Sequence, residues 1–138
     1  MYQIAKNYFL ISKYTWIKKN KENVISIPAA LQVRLVNGSD AYEGRVEVLY
    51  NGAWGTICDD EWDIYDAYVV CKMLGHSSAT MAPKEGRFGE GVGLIVMDDV
   101  NCEGMEDNIS ECTYTNHEDT DCDHSEDAGV VCTKDPLE

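Results

Sequence analysis

Val46-Glu47-Val48-Leu49-Tyr50-Asn51-Gly52-Ala53-Trp54-Gly55-Thr56-Ile57 is the stretch on which the fold turns. Val46, Val48 and Tyr50 alternate with Glu47 and Leu49, Asn51-Gly52 interrupts, and a second run resumes with Trp54 and Thr56. Alternation around an Asn-Gly pair predicts a β-hairpin closed by a type I′ turn. Immediately after it the period changes. Ala67, Val70, Cys71 and Leu74 fall on one helical face, with Asp63 or Asp66 as N-cap and Gly75 as the stop, so residues 64–74 are predicted to be a helix.

Around this pair of elements the signals are shorter. Val33 to Val36 is a strand candidate ending in Asn37-Gly38-Ser39-Asp40. Residues 86–93 are rich in glycine and are expected to be loop, Leu94 to Met97 a short strand, and Val130-Val131-Cys132 the last one. One helix, several short strands and many turns give an α+β fold class.

The chain has 138 residues, 44% of them hydrophobic and 26% charged, with a formal net charge of −14. That length suits one domain. Its charge is divided unevenly: residues 1–32 hold five lysines and one glutamate, net +4, whereas the rest holds six Lys/Arg against 24 Asp/Glu, net −18. Residues 1–32 therefore read as a basic N-terminal extension, a linker or disordered segment, residues 33–134 as the folded domain, and residues 135–138 as a tail. In the extension the longest apolar run, Tyr8-Phe9-Leu10-Ile11, stops at Ser12, so no signal peptide is legible. No stretch has the roughly 20 apolar residues of a membrane-spanning helix. So acidic a domain repels a polyanion such as nucleic acid unless cations intervene, and no nucleic-acid site is expected.

All six cysteines, Cys58, Cys71, Cys102, Cys112, Cys122 and Cys132, lie in the acidic part. An even count without a C-x-x-C pair, and with His76, His117 and His124 outside zinc-finger spacing, favours disulfides over zinc. Six cysteines allow 15 pairings, and spacing does not choose among them. Two sequons, Asn37-Gly38-Ser39 and Asn108-Ile109-Ser110, are candidate glycosylation sites and, with the cysteines, point to an extracellular compartment.

Several longer motifs share a likeness. Gly44 to Val48, Trp54-Gly55-Thr56-Ile57-Cys58-Asp59-Asp60-Glu61-Trp62, Asp66 to Gly75, Phe88-Gly89-Glu90-Gly91, Met97 to Cys102, Cys112, and Glu126 to Cys132 resemble the scavenger receptor cysteine-rich (SRCR) domain. The likeness covers residues 33–132, and six cysteines match the group A form. It implies a curved antiparallel sheet cradling one helix, stapled by Cys58–Cys122, Cys71–Cys132 and Cys102–Cys112. Leu94 and Val96 depart from the proline and tryptophan common in the family, and residues 118–123 are more acidic than usual.

The resemblance also implies a role. Asp59, Asp60 and Glu126 match a divalent-cation site, Ca²⁺ or Mg²⁺, since hard cations take several carboxylate oxygens. A second set, Asp63, Asp98, Asp99 and Asn101, stands behind it. Asp119, Asp121 and Asp123 are read as a solvated, self-repelling loop. No G-x-S-x-G or dinucleotide loop is present, and His117 and His124 lie in a polar stretch, so an enzyme is not expected. The expected function is an extracellular, scavenger-receptor-type module that recognises polyanionic or protein ligands with help from a bound cation. The alternative is an ancillary, non-catalytic domain of a larger mosaic protease, oxidase or receptor.

Overall fold

A computed structural model describes residues 30–135 with their side chains and, before them, the backbone of three strands. Those strands, β1 (Tyr8–Ser12), β2 (Thr15–Lys19) and β3 (Val24–Pro28), form an antiparallel sheet in the order β1-β2-β3. They belong to a compact unit, Met1–Ala30, separate from Leu31–Glu138. The segment read from sequence as linker or disordered thus carries three short strands.

The second unit holds a seven-stranded sheet and one helix. β4 (Val33–Val36) pairs antiparallel with β5 (Glu43–Tyr50), and β5 continues through the Asn51-Gly52 turn into β6 (Ala53–Ile57). Asn51 and Gly52 have φ of 54° and 79°, the left-handed pair that a type I′ turn requires. The sheet runs β7 (Ala79–Met81), β10 (Gly129–Cys132), β5, β6, β8 (Ile95–Asn101), β9 (Thr113–Asn116), with β4 on β5. Every pairing is antiparallel except β6 with β8.

Among the described residues there is one α-helix, α1, spanning Ile64–Met73. Asp63 caps it, accepting from the Tyr65 and Asp66 amides, and the Asp63 amide in turn donates to the Asp66 carboxylate, a reciprocal capping box. Gly75, at φ 89°, follows its end. The helix buries Ala67, Val69, Val70 and Cys71 against β10 and β7. Trp62, 2% exposed, completes the core, and its indole Nε1 donates to the Gly129 carbonyl at 2.9 Å.

One expectation needs adjusting. The strand at Leu94 to Met97 is longer, reaching Asn101, because β9 pairs with its second half; β9 itself has too few apolar residues to show an alternation. On α1, Asp66 is fully buried, and its carboxylate also accepts from the Cys102 amide at 2.8 Å. Burial pushes that carboxyl up to about 7 despite the two amides that favour the ionised form.

Three disulfides pin these elements: Cys71 on α1 to Cys132 on β10, Cys58 after β6 to Cys122, and Cys102 after β8 to Cys112. In the chain-entropy account a bridge closing about 60 residues contributes about 4 kcal/mol. For a unit of this size that rivals the net stability of a typical domain.

Candidate cation site

Three backbone contacts gather the carboxylates. The Ala128 amide donates to Ile57 O at 2.8 Å and the Asp59 amide to Glu126 O at 2.8 Å, so residues 57–59 are clamped to 126–128. The parallel pairing of β6 with β8 adds a bond from the Cys58 amide to Met97 O at 2.9 Å, placing Asp98 next to the same corner. The Cys58–Cys122 bridge then draws in the loop that carries Asp121.

Around the Cys122 sulfur the oxygens converge. Sγ lies 3.7 Å from Asp60 Oδ2, 3.7 Å from Glu126 Oε2 and 3.9 Å from Asp98 Oδ1. Asp60, Asp98 and Asp121 present ligand atoms within 4.8 Å of one another, and Asp60 and Glu126 do the same. Oxygens that share one calcium, each at 2.3–2.6 Å, stand at most about 5 Å apart, so the spacing within each of these two groups, which share Asp60, fits a hard cation. The bridged sulfurs are not thiolates and would not be ligands.

The charges are held in place and uncompensated. Asp98, 2% exposed, accepts from the Asp99 amide at 2.7 Å and the Thr120 hydroxyl at 2.8 Å. Glu126 takes the Asp123 amide on Oε1, leaving Oε2 toward the cluster. No basic side chain forms an ion pair with Asp60, Asp98, Asp121 or Glu126 among the described residues. The Asp60 carboxyl is raised above the usual range, first by desolvation and then by the charges of Asp98, Glu126, Asp121 and Asp59. A divalent cation would relieve all of these at once.

The sequence-derived residues divide accordingly. Asp60 and Glu126 meet, and Asp98 from the second set joins them. Asp59, 7% exposed, turns its Oδ2 to the Glu85 amide at 2.6 Å, so it stands behind the cluster as a loop anchor. Asp63 is committed to capping α1, and Asp99 Oδ2 accepts from Thr115 Oγ1 at 3.3 Å. Asn101 lies elsewhere, lining an open groove of about 540 Å³ with Glu103, Met105, Glu106, Glu111 and Thr113. Asp121 is exposed, as expected of a solvated loop, and also offers an oxygen within 4.8 Å of Asp60 and Asp98. The signal that could have found it is its neighbour, Cys122, whose bridge carries it to Cys58.

A curved sheet around one capped helix, stapled three times and ending in a carboxylate corner, defines a small disulfide-pinned class of domain. The sequence pattern described as "Scavenger receptor cysteine-rich domain" matches residues 36–133, and the chain belongs to that family. It is 48% identical over 103 residues to galectin-3-binding protein of Rattus norvegicus, covering 75% of this chain and 18% of that protein. It is 50% identical over 101 residues to macrophage scavenger receptor types I and II of Mus musculus, covering 73% and 22%. The crystal structure of the third SRCR domain of murine neurotrypsin superimposes with a TM-score of 0.70 at 47% identity, over 78% of this chain and 99% of that one. The chain thus spans less than a quarter of the length of the relatives it matches. SRCR domains are non-catalytic modules, and with three bridges this one is of the six-cysteine, group A type.

Proposed function

We propose that this chain is an extracellular ligand-recognition module of scavenger-receptor type, in which Asp60, Asp98, Asp121 and Glu126 hold a divalent cation that grips polyanionic or acidic protein ligands. The observation that carries the reading is the meeting, at the Cys58–Cys122 bridge, of two carboxylate groups that share Asp60: Asp60 with Glu126, and Asp60 with Asp98 and Asp121. The described domain offers six Lys/Arg against 24 Asp/Glu from residue 33 onward, so it has no basic face of its own for an anionic ligand. A bound cation, with open positions facing solvent, reverses the local sign and accepts a sulfate, phosphate or carboxylate oxygen. Affinity in the range of extracellular calcium modules, roughly 10⁻⁴ to 10⁻³ M, would keep it filled outside cells. The bridged cysteines fit that compartment.

Titration calorimetry with Ca²⁺, followed by a sulfated polysaccharide, on the wild type and Asp60→Ala tests this. The variant is expected to lose Ca²⁺ binding and polyanion binding together. Polyanion binding that ignores a chelator overturns the mechanism.

One observation favours a second reading. Because the chain spans less than a quarter of its relatives, it also fits as the ancillary, ligand-contacting domain of a larger mosaic protein.

A further inference from the structure

The two glycosylation sequons look alike in sequence, and the fold treats them oppositely. Asn37 is exposed, follows the end of β4 in a left-handed conformation at φ 64°, and its side chain takes no hydrogen bond among the described residues. Gly38 is the middle residue because a Cβ there would stand 1.8 Å from the Glu43 carbonyl oxygen. Ser39 is exposed, its amide donating to Glu43 Oε2 at 3.3 Å. The Asn37 Nδ2 lies beside Gly89, where an added Cβ would stand 3.5 Å from it, and no hydrogen bond engages it among the described residues.

Asn108 is half-buried and bonded on both amide atoms. Its Oδ1 accepts from the Ser110 amide at 3.0 Å, as N-cap of the 3₁₀ turn Ile109–Glu111, and from the Leu31 amide at 3.1 Å. Its Nδ2 donates to the Leu31 carbonyl at 3.0 Å. Both bonds to Leu31 use one edge of the side-chain amide, so the engaged N–H is the one on the same side as Oδ1. A glycan turns this group into a secondary amide, whose trans form, favoured as in a peptide bond, sets the sugar carbon on that side. The sugar would therefore occupy the slot now filled by the Leu31 carbonyl. Ser110, 8% exposed, is buried with it.

From this we infer that Asn37 is the N-glycan acceptor of the domain, and that Asn108 is a structural asparagine tying Leu31 to the Cys102–Cys112 loop. The inference rests on passage through the secretory route, as in the function proposed above.

The test expresses the full chain behind a heterologous secretion signal in glycosylating cells, as wild type, Asn37→Gln, Ser39→Ala and Ser110→Ala. Glycopeptides are mapped by mass spectrometry after enzymatic release in heavy-oxygen water, which separates glycan removal from spontaneous deamidation of Asn37-Gly38. Ser110→Ala removes the second sequon while leaving Asn108 bonded to Leu31. The expected result is one glycan, complete loss of its mass shift in Asn37→Gln and Ser39→Ala, and no change in Ser110→Ala. Secreted protein with its bridges intact but a sugar on Asn108, or with Asn37 bare, overturns the inference and leaves the extracellular reading standing. A chain retained with free thiols overturns that reading and the inference with it.

Discussion

Neutralising Asp60 stabilises the domain without a cation and loses that advantage when one is bound, which makes Asp60→Asn the most informative single change. Its carboxylate stands within 4.8 Å of Asp98, Asp121 and Glu126 oxygens. Two unit charges at that distance repel by about 0.9 kcal/mol in water, and screening at physiological salt leaves roughly half. Three such neighbours give about 1.5 kcal/mol of repulsion that the variant removes. For a domain of about a hundred residues this raises Tm in chelator by about 6 °C. With Ca²⁺ at ten times its Kd, the wild type gains about 1.4 kcal/mol by mass action, whereas the variant, short of a ligand, gains almost nothing. Differential scanning calorimetry in chelator and in Ca²⁺ should therefore show the variant above the wild type in the first and the gap closed in the second. A variant that melts at or below the wild type in chelator, or that gains as much from Ca²⁺, refutes the idea of a shared cation corner.

Three further predictions follow from the packing. Trp62→Phe leaves the Gly129 carbonyl without its indole donor and opens space in the core, a loss of about 3 kcal/mol that should appear as a lower urea midpoint at unchanged slope. Removing the Cys102–Cys112 pair, which spans 10 residues, should cost about 3 kcal/mol, and removing Cys71–Cys132, which spans 61, about 4 kcal/mol; the opposite order in guanidinium unfolding would contradict the loop-closure account. Asp66 holds its proton to about 7 when folded and to an ordinary 3.8 when not, so the folded state binds more protons between those values. Its contribution to stability accordingly declines as pH rises from about 4 to about 7, and Asp66→Asn should flatten that decline in thermal melts made with chelator present. Parallel profiles for the two proteins would show that some other group sets the slope.

Local chemistry accounts for what could be read along the chain. The Asn51-Gly52 turn, the 64–74 periodicity, Asp63 as cap and Gly75 as stop each act over a few residues, so the hairpin and α1 were legible before any tertiary contact was known. β9, whose pattern is polar, and the second half of β8 were not legible, because their pairing partner is the only reason they are strands.

The candidate site shows the same division more sharply. Sequence alone determined that a hundred-residue acidic unit with six cysteines would be covalently braced, and it offered the carboxylates in abundance. Only the tertiary structure decided which of them meet: the β6–β8 parallel pair brought Asp98 in, the bridge to Cys122 brought Asp121, and the Glu85 amide engages one oxygen of Asp59. Spacing in sequence fixes the kinds of oxygen a chain can offer, whereas coordination depends on separations of a few ångströms between segments tens of residues apart, and those are set by backbone pairing and disulfide closure.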